Sequence, residues 1–134
     1  MGVSAVFEPR GIPAPAALAE ARVALHWAAQ IVAAVGRALI PAVPDDSHTS
    51  LEWVEEERLL LGGVTPAGRR VGLRPADLTL VSREARVGAR SEFALPGRTL
   101  DDARSWLADA VGVVPTVVPP YEMPAHAVAR GGSF

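Results

Sequence analysis

The chain contains no cysteine, no lysine and no asparagine among its 134 residues. The absence of cysteine excludes disulfides and thiolate metal sites, and it leaves the redox compartment open. All 13 basic side chains are arginine, and alanine occurs 24 times. This composition is typical of a GC-rich bacterial genome, so the arginines by themselves are no sign of phosphate binding.

Aromatic residues and net charge are also scarce. Three tryptophans, three phenylalanines and one tyrosine accompany a formal net charge of −2. A nucleic-acid binder needs a basic surface and, for single strands, aromatic stacking platforms. Nucleic acid is therefore an unlikely partner.

Long apolar runs and targeting signals are missing as well. The longest uncharged apolar stretch, Val23 to Gly36, is shorter than a bilayer span requires. The first residues lack the basic and apolar regions of a signal peptide. We expect a cytoplasmic protein with no membrane contact.

The chain divides into three parts. Residues 1–15 are interrupted by proline and glycine and predict an extended arm, whereas residues 16–112 predict a single domain. Residues 113–134 form a proline-rich tail that is unsuited to a helix or a central strand.

The domain predicts an α+β fold. A long helix from Ala16 to Ile40 ends before Pro41, and residues 41–49 form a loop. Short connections then favour a five-stranded antiparallel meander. Its strands are predicted at 51–54, 59–64, 70–74, 78–82 and 87–95.

A second helix is predicted after the sheet. Thr99 is the expected N-cap, Asp101 and Asp102 occupy the first turn, and Gly112 ends the helix. Two amphipathic helices packed on the same face of the sheet would complete a two-layer domain.

One side of the first helix carries polar side chains among alanines and valines. His26 and Gln30 lie one turn apart, in line with Arg22 and Arg37. This stripe is a solvent edge, the wall of a pocket in which His26 acts as an acid–base group or a ligand, or part of an interface. The candidate pocket comprises His26, Gln30, His48 and Trp53.

The loop before the first strand holds Asp45, Asp46 and His48. Carboxylates with a histidine can bind a divalent cation, but these three follow no established ligand spacing. The sequence predicts neither a metal site nor a cofactor, and metal binding by this loop stays open.

The sheet region is rich in arginine. Seven arginines between Arg69 and Arg98 face only three carboxylates. The pattern of Arg70, Arg74 and Arg90 favours cross-strand ion pairs on a solvated face. The alternative is an anion-binding surface.

The order of several residues resembles a bacterial family of unknown function, named domain of unknown function 5996. The residues that carry this resemblance are Leu25-His26, Gln30-Ile31-Val32, Arg37, Leu39, Pro41, His48 and Leu51. The resemblance covers about residues 18–112 and implies that His26, Gln30 and His48 are family features. It supplies no activity. Because the family usually continues with a further long segment, the resemblance implies either that the chain is a fragment whose tail begins that segment or that it is a short relative.

The expected function is that of a structural or protein-interaction module. Helix 1, through its wide apolar surface, or the tail would contact a second copy or another protein. The alternative is a small-molecule binder or enzyme with a pocket between helix 1 and the sheet.

Overall fold

A computed structural model describes residues 15–45, 47–86, 90–117 and 125–134. Within this part the chain forms a long helix, a five-stranded sheet and a second helix. The elements are α1 (Pro15–Leu39), β1 (Glu52–Val54), β2 (Leu59–Leu61), β3 (Arg69–Arg74), β4 (Thr79–Glu84), β5 (Arg90–Ala94) and α2 (Leu100–Val111). The strands are all antiparallel, in the order β1-β2-β3-β4-β5. The predicted α+β meander is confirmed.

The strand limits differ from the prediction by a few residues. Leu78 has a positive φ of 53° and closes the β3–β4 turn, so β4 begins one residue later. The strand β2 ends at Leu61 rather than at Val64, and the Gly62 N–H still donates to the Val71 carbonyl of β3 at 2.8 Å. The predicted arm lies largely outside the described residues, as do positions 87–89 of the predicted fifth strand.

Local sequence explains both helices. Proline is favoured at the first position of a helix, where α1 begins with Pro15. At the start of α2, the hydroxyl of the N-cap Thr99 accepts a hydrogen bond from the backbone N–H of Asp102. The Asp102 carboxylate in turn accepts one from the backbone N–H of Thr99. This reciprocal pair is a capping box, and Gly112 ends α2 in the left-handed conformation.

The main core lies between the two helices and one face of the sheet, which we call the helical face. Residues of α1 such as Ile31 and Val35 pack with Val71 and Leu73 of β3 and with Leu107 of α2. Phe93 of β5 stacks on Trp106 of α2 with ring centroids 5.6 Å apart. Both helices therefore cover the same face, as expected.

The opposite face, which we call the arginine face, has a small core of its own. Leu59, Leu61 and Val81 are fully buried there, with no helix over them in the described part of the chain. Leu61 lies across Gly72, where an added Cβ would meet the Leu61 Cδ2 atom at 2.6 Å. A glycine at this position leaves room for the leucine.

An ion pair shows how this second core is closed. Arg83 of β4 contacts Glu57, in the β1–β2 turn, at 3.1 Å. By the registers of β2, β3 and β4, these positions in a flat sheet would be about 9.6 Å apart across the strands and about 20 Å apart along them. The β1–β2 hairpin therefore curls over the arginine face, and Trp53 on its outer side is 46% exposed.

The described parts of the tail return to the domain. Pro115 is buried, and its carbonyl accepts from Arg104 Nε at 2.9 Å. Residues Ala127–Arg130 form a 3₁₀ turn that buries Val128. The last residue, Phe134, exchanges backbone hydrogen bonds with Gly97 and Arg98.

Candidate functional site

The structure does not bring the four residues of the candidate pocket together. His26 is exposed beside Ala19, Arg22 and Val23 of its own helix. The backbone of His48 instead packs on Gly36, ten residues further along α1, which corresponds to about 15 Å. Trp53 lies on the outer side of the β1–β2 hairpin.

The polar stripe of α1 follows the solvent edge of the helix. Arg22, His26 and Arg37 are exposed, whereas Gln30 is half-buried. The Gln30 Oε1 atom is buried and has no hydrogen-bond partner in the described residues. Among the polar groups of the stripe, this oxygen is therefore the exception, because it is shielded from solvent.

Each arginine of the candidate anion surface contacts a carboxylate. Arg70 binds Glu52 at 3.0 Å, and Arg90 contacts Glu92 at 3.3 Å. Arg74 contacts Asp77 at 2.9 Å and Glu92 at 2.8 Å. Arg70–Glu52 and Arg74–Glu92 join different strands, as the ion-pair alternative predicts, whereas Arg90–Glu92 lies within β5 and Asp77 belongs to the β3–β4 turn. In all four pairs a carboxylate occupies a position that an anionic ligand would need.

The pKa values on this surface follow from the same contacts. Hydrogen bonds from Arg74 lower the pKa of Glu92 and of Asp77. The same bonds raise the pKa of Arg74, with the Glu92 contact as the larger cause. The three groups therefore stay charged at neutral pH, and the one guanidinium is shared between two carboxylates.

The loop before β1 is organised by hydrogen bonds to the protein itself. The Asp45 carboxylate accepts from the Ser47 backbone N–H at 3.1 Å, and this bond lowers the Asp45 pKa. His48 Nδ1 accepts from the Val43 N–H at 3.4 Å. Asp46 lies outside the described residues, and the described ones contain no group of three metal-ligating side chains.

The least covered part of the domain is the amino-terminal half of α1, Pro15–His26. Every residue from Pro15 to Arg22 is exposed, and the fully buried residues of α1 begin at Trp27. By length and composition α1 could also cross a membrane. A core helix meets the same criterion, and Trp27–Gly36 contains the buried part of α1.

An apolar depression, which we call the α1 groove, runs beside this half of the helix. It has a volume of about 430 Å³. One wall is formed by Leu18, Ala21 and Leu25 of α1, and the other by the β3–β4 turn Pro75–Leu78 with Pro96. Sequence reasoning missed it because a turn distant in the chain supplies the second wall.

A second depression, of about 370 Å³, lies on the other side of the same helix. Its walls are Ala19, Glu20 and Val23 of α1 on one side, and Arg130 of the 3₁₀ turn with His126, which caps that turn, on the other. His126 Nδ1 accepts from the Val128 N–H at 3.0 Å, so the neutral ring carries its proton on Nε2. The amino-terminal half of α1 is thus bordered by recesses on two sides.

No protein-family model, curated protein or solved structure matches the chain. The resemblance to domain of unknown function 5996 therefore stays a prediction that rests on scattered single residues.

Proposed function

We propose that the protein is an interaction module whose α1 groove binds an amphipathic helix of a partner protein. The observation that carries this proposal is the exposure of Pro15–Arg22 beside an apolar groove. Leu18 is 37% exposed at its rim. An apolar rim of this kind is stabilised when a second apolar surface covers it.

The shape of the groove favours a helix as the occupant. Leu18 and Leu25 are seven residues apart on one face of α1, a distance of about 10.5 Å. Helix-in-groove recognition uses anchors at the same i, i+3 or i+4, and i+7 spacing. Two turns of a partner helix would therefore match the length of the apolar wall.

Charge indicates the chemistry of the partner. Arg22 borders the groove and has no ion pair in the described part of the chain. Asp77, on the opposite wall, already contacts Arg74 at 2.9 Å. Arg22 is therefore the charged side chain of the groove that a partner can pair with, which favours a partner helix with an acidic residue beside its apolar stripe.

A peptide titration tests this proposal. The probe is a synthetic amphipathic helix of leucine and glutamate, and the matched control is the same helix with lysine in place of glutamate. Amide chemical shifts of the protein are followed by NMR. We expect the acidic peptide to shift Leu18, Leu25 and Leu78, and the basic peptide to leave them unchanged.

Two variants give the test a matched internal control. Leu18 and Val43 are 37% and 38% exposed, at different places on the surface. Leu18→Asp should weaken binding of the acidic peptide about tenfold or more, whereas Val43→Asp should not change it. Equal binding of the two peptides, or equal loss in both variants, would refute the proposal. Self-association that Leu18→Asp abolishes would assign the groove to a second copy instead.

A further inference from the structure

The strand β5 forms one edge of the sheet. In the described part of the chain only β4 pairs with it, and four of its five residues are exposed. An exposed edge strand presents unpaired backbone donors and acceptors to any strand that can align with it.

The pairing with β4 shows which backbone groups point outward. The Leu95 N–H donates to the Leu78 carbonyl at 3.0 Å, and residues alternate along an antiparallel ladder between inward and outward bonding. The backbone groups of Ser91 and Phe93 therefore face β4. Those of Arg90, Glu92 and Ala94 face away from the sheet.

Charge selects among the ways in which two copies of this edge could pair. A register centred on Glu92 would place Glu92 opposite its own copy, and one centred on Arg90 would do the same for Arg90. A register centred on Ser91 places Arg90 of each copy opposite Glu92 of the other. Opposite charges directly across two strands stabilise the pair, whereas like charges destabilise it.

We propose that two copies of this chain pair through β5 in the antiparallel register centred on Ser91, which makes one continuous ten-stranded sheet. Arg90 and Glu92 are a hydrogen-bonded residue pair in this register, so the described residues supply four backbone hydrogen bonds across the axis. The contact is isologous, as expected for a two-fold dimer.

The ion pairs of the arginine face support the same register. Glu92 contacts Arg74 at 2.8 Å and Arg90 at 3.3 Å within one copy. Across the axis each Glu92 would also meet the second copy's Arg90. The charged groups of the two arginine faces would then form one alternating network, in which each carboxylate is flanked by arginines.

A charge-exchange experiment tests the dimer. Sedimentation velocity compares the wild type with Arg90→Glu, with Glu92→Arg and with an equal mixture of the two variants. In a dimer of either variant alone, like charges lie opposite each other at both positions. The dissociation constant of the dimer should therefore rise by about tenfold or more. The mixture restores opposite charges at both positions and should form heterodimers.

Control variants separate this inference from the proposed function. Arg86→Glu reverses a charge outside β5 and should leave the dimer intact, as should Leu18→Asp. Arg90→Glu should not change binding of the acidic peptide. A wild type that stays monomeric at the highest soluble concentration would overturn the inference. So would an Arg90→Glu variant that dimerises like the wild type, or a mixture that does not associate.

Discussion

The two faces of the sheet bury leucines in different ways. On the helical face, Leu73 lies under α1 and α2 and is fully buried. On the arginine face, Leu61 is equally buried, in a cluster with Leu59, Val81 and Val54 that, in the described part of the chain, contains no residue of α1 or α2. Arginine stems can exclude water from an apolar surface while their charged ends stay solvated. A sheet face can therefore be closed without a third layer, and the two faces should respond differently to substitution.

The largest effect should come from truncating a leucine of each face. We expect Leu73→Ala to lower the free energy of unfolding by about 4 kcal/mol, because it opens a cavity among rigid helices. Leu61→Ala should cost about 2–3 kcal/mol, because arginine side chains can move into the space. Urea denaturation measures both. Equal losses would show that the arginine face is as rigid as the helical one.

The next effect concerns Gly72, which lies beneath Leu61. An added Cβ would meet the Leu61 Cδ2 atom at 2.6 Å and the Leu60 carbonyl oxygen at 2.8 Å. Gly72→Ala should therefore cost about 2 kcal/mol. The double variant Gly72→Ala with Leu61→Ala lacks the first of these contacts. Its loss of unfolding free energy should therefore be smaller than the sum of the losses of the two single variants. Strict additivity would contradict the packing described.

A smaller loss of unfolding free energy is expected when the Arg83–Glu57 ion pair, which joins the β1–β2 hairpin to β4, is removed. The side chains of Arg83 and Glu57 are only 15% and 28% exposed, so their pair is better shielded from water than an ordinary surface pair. Arg83→Gln should cost about 1 kcal/mol. The matched control is Arg86→Gln, which changes an exposed arginine just after β4 and should cost nothing measurable. Thermal unfolding compares the two.

Acid should weaken the arginine face by protonating Glu92 and Asp77, the two carboxylates that contact Arg74. Because Arg74 lowers the pKa of Glu92 and Asp77 from their ordinary values of 4.5 and 3.8, their contribution to stability is present above those values. It is lost as the pH falls through the lower values of the folded state. Arg74→Gln should weaken the decline of stability with acid. An unchanged pH profile of unfolding would contradict this assignment.

The smallest effect should be a gain. Arg58 closes the β1–β2 turn with a φ of 53°, a left-handed conformation that is costly for a residue with a Cβ. Arg58→Gly should raise the free energy of unfolding by about 0.5–1 kcal/mol. Leu78 has the same conformation, but it also packs on the main core. Leu78→Gly should therefore be destabilising, and a gain there would show that backbone strain outweighs packing.

Local patterns were sufficient to predict most of this fold. The alternation of the strands, the capping box at Thr99 and the left-handed Gly112 are all set by neighbours in the chain. The curl of the β1–β2 hairpin was not predictable, because it depends on Glu57 meeting Arg83, 26 residues away. The hydrogen bond between Gly97 and Phe134 was not predicted either, because these residues are also far apart in the chain.

The candidate site was predictable only in part. Helical periodicity correctly placed Arg22, His26 and Arg37 on one edge of α1. It could not show what lies against that edge, so His26 and His48 were grouped although the structure separates them. The α1 groove depends on a turn some fifty residues further along the chain, and periodicity within one helix carries no information about such a wall.

The position of α1 ahead of the sheet has a consequence for biosynthesis. The residues that bury Ile31, such as Val71, Leu73 and Leu107, leave the ribosome at least forty residues later. Until translation reaches them, the nascent chain displays an uncovered apolar helix to the cell. A chaperone that holds apolar segments of nascent chains would therefore meet this protein early in its synthesis.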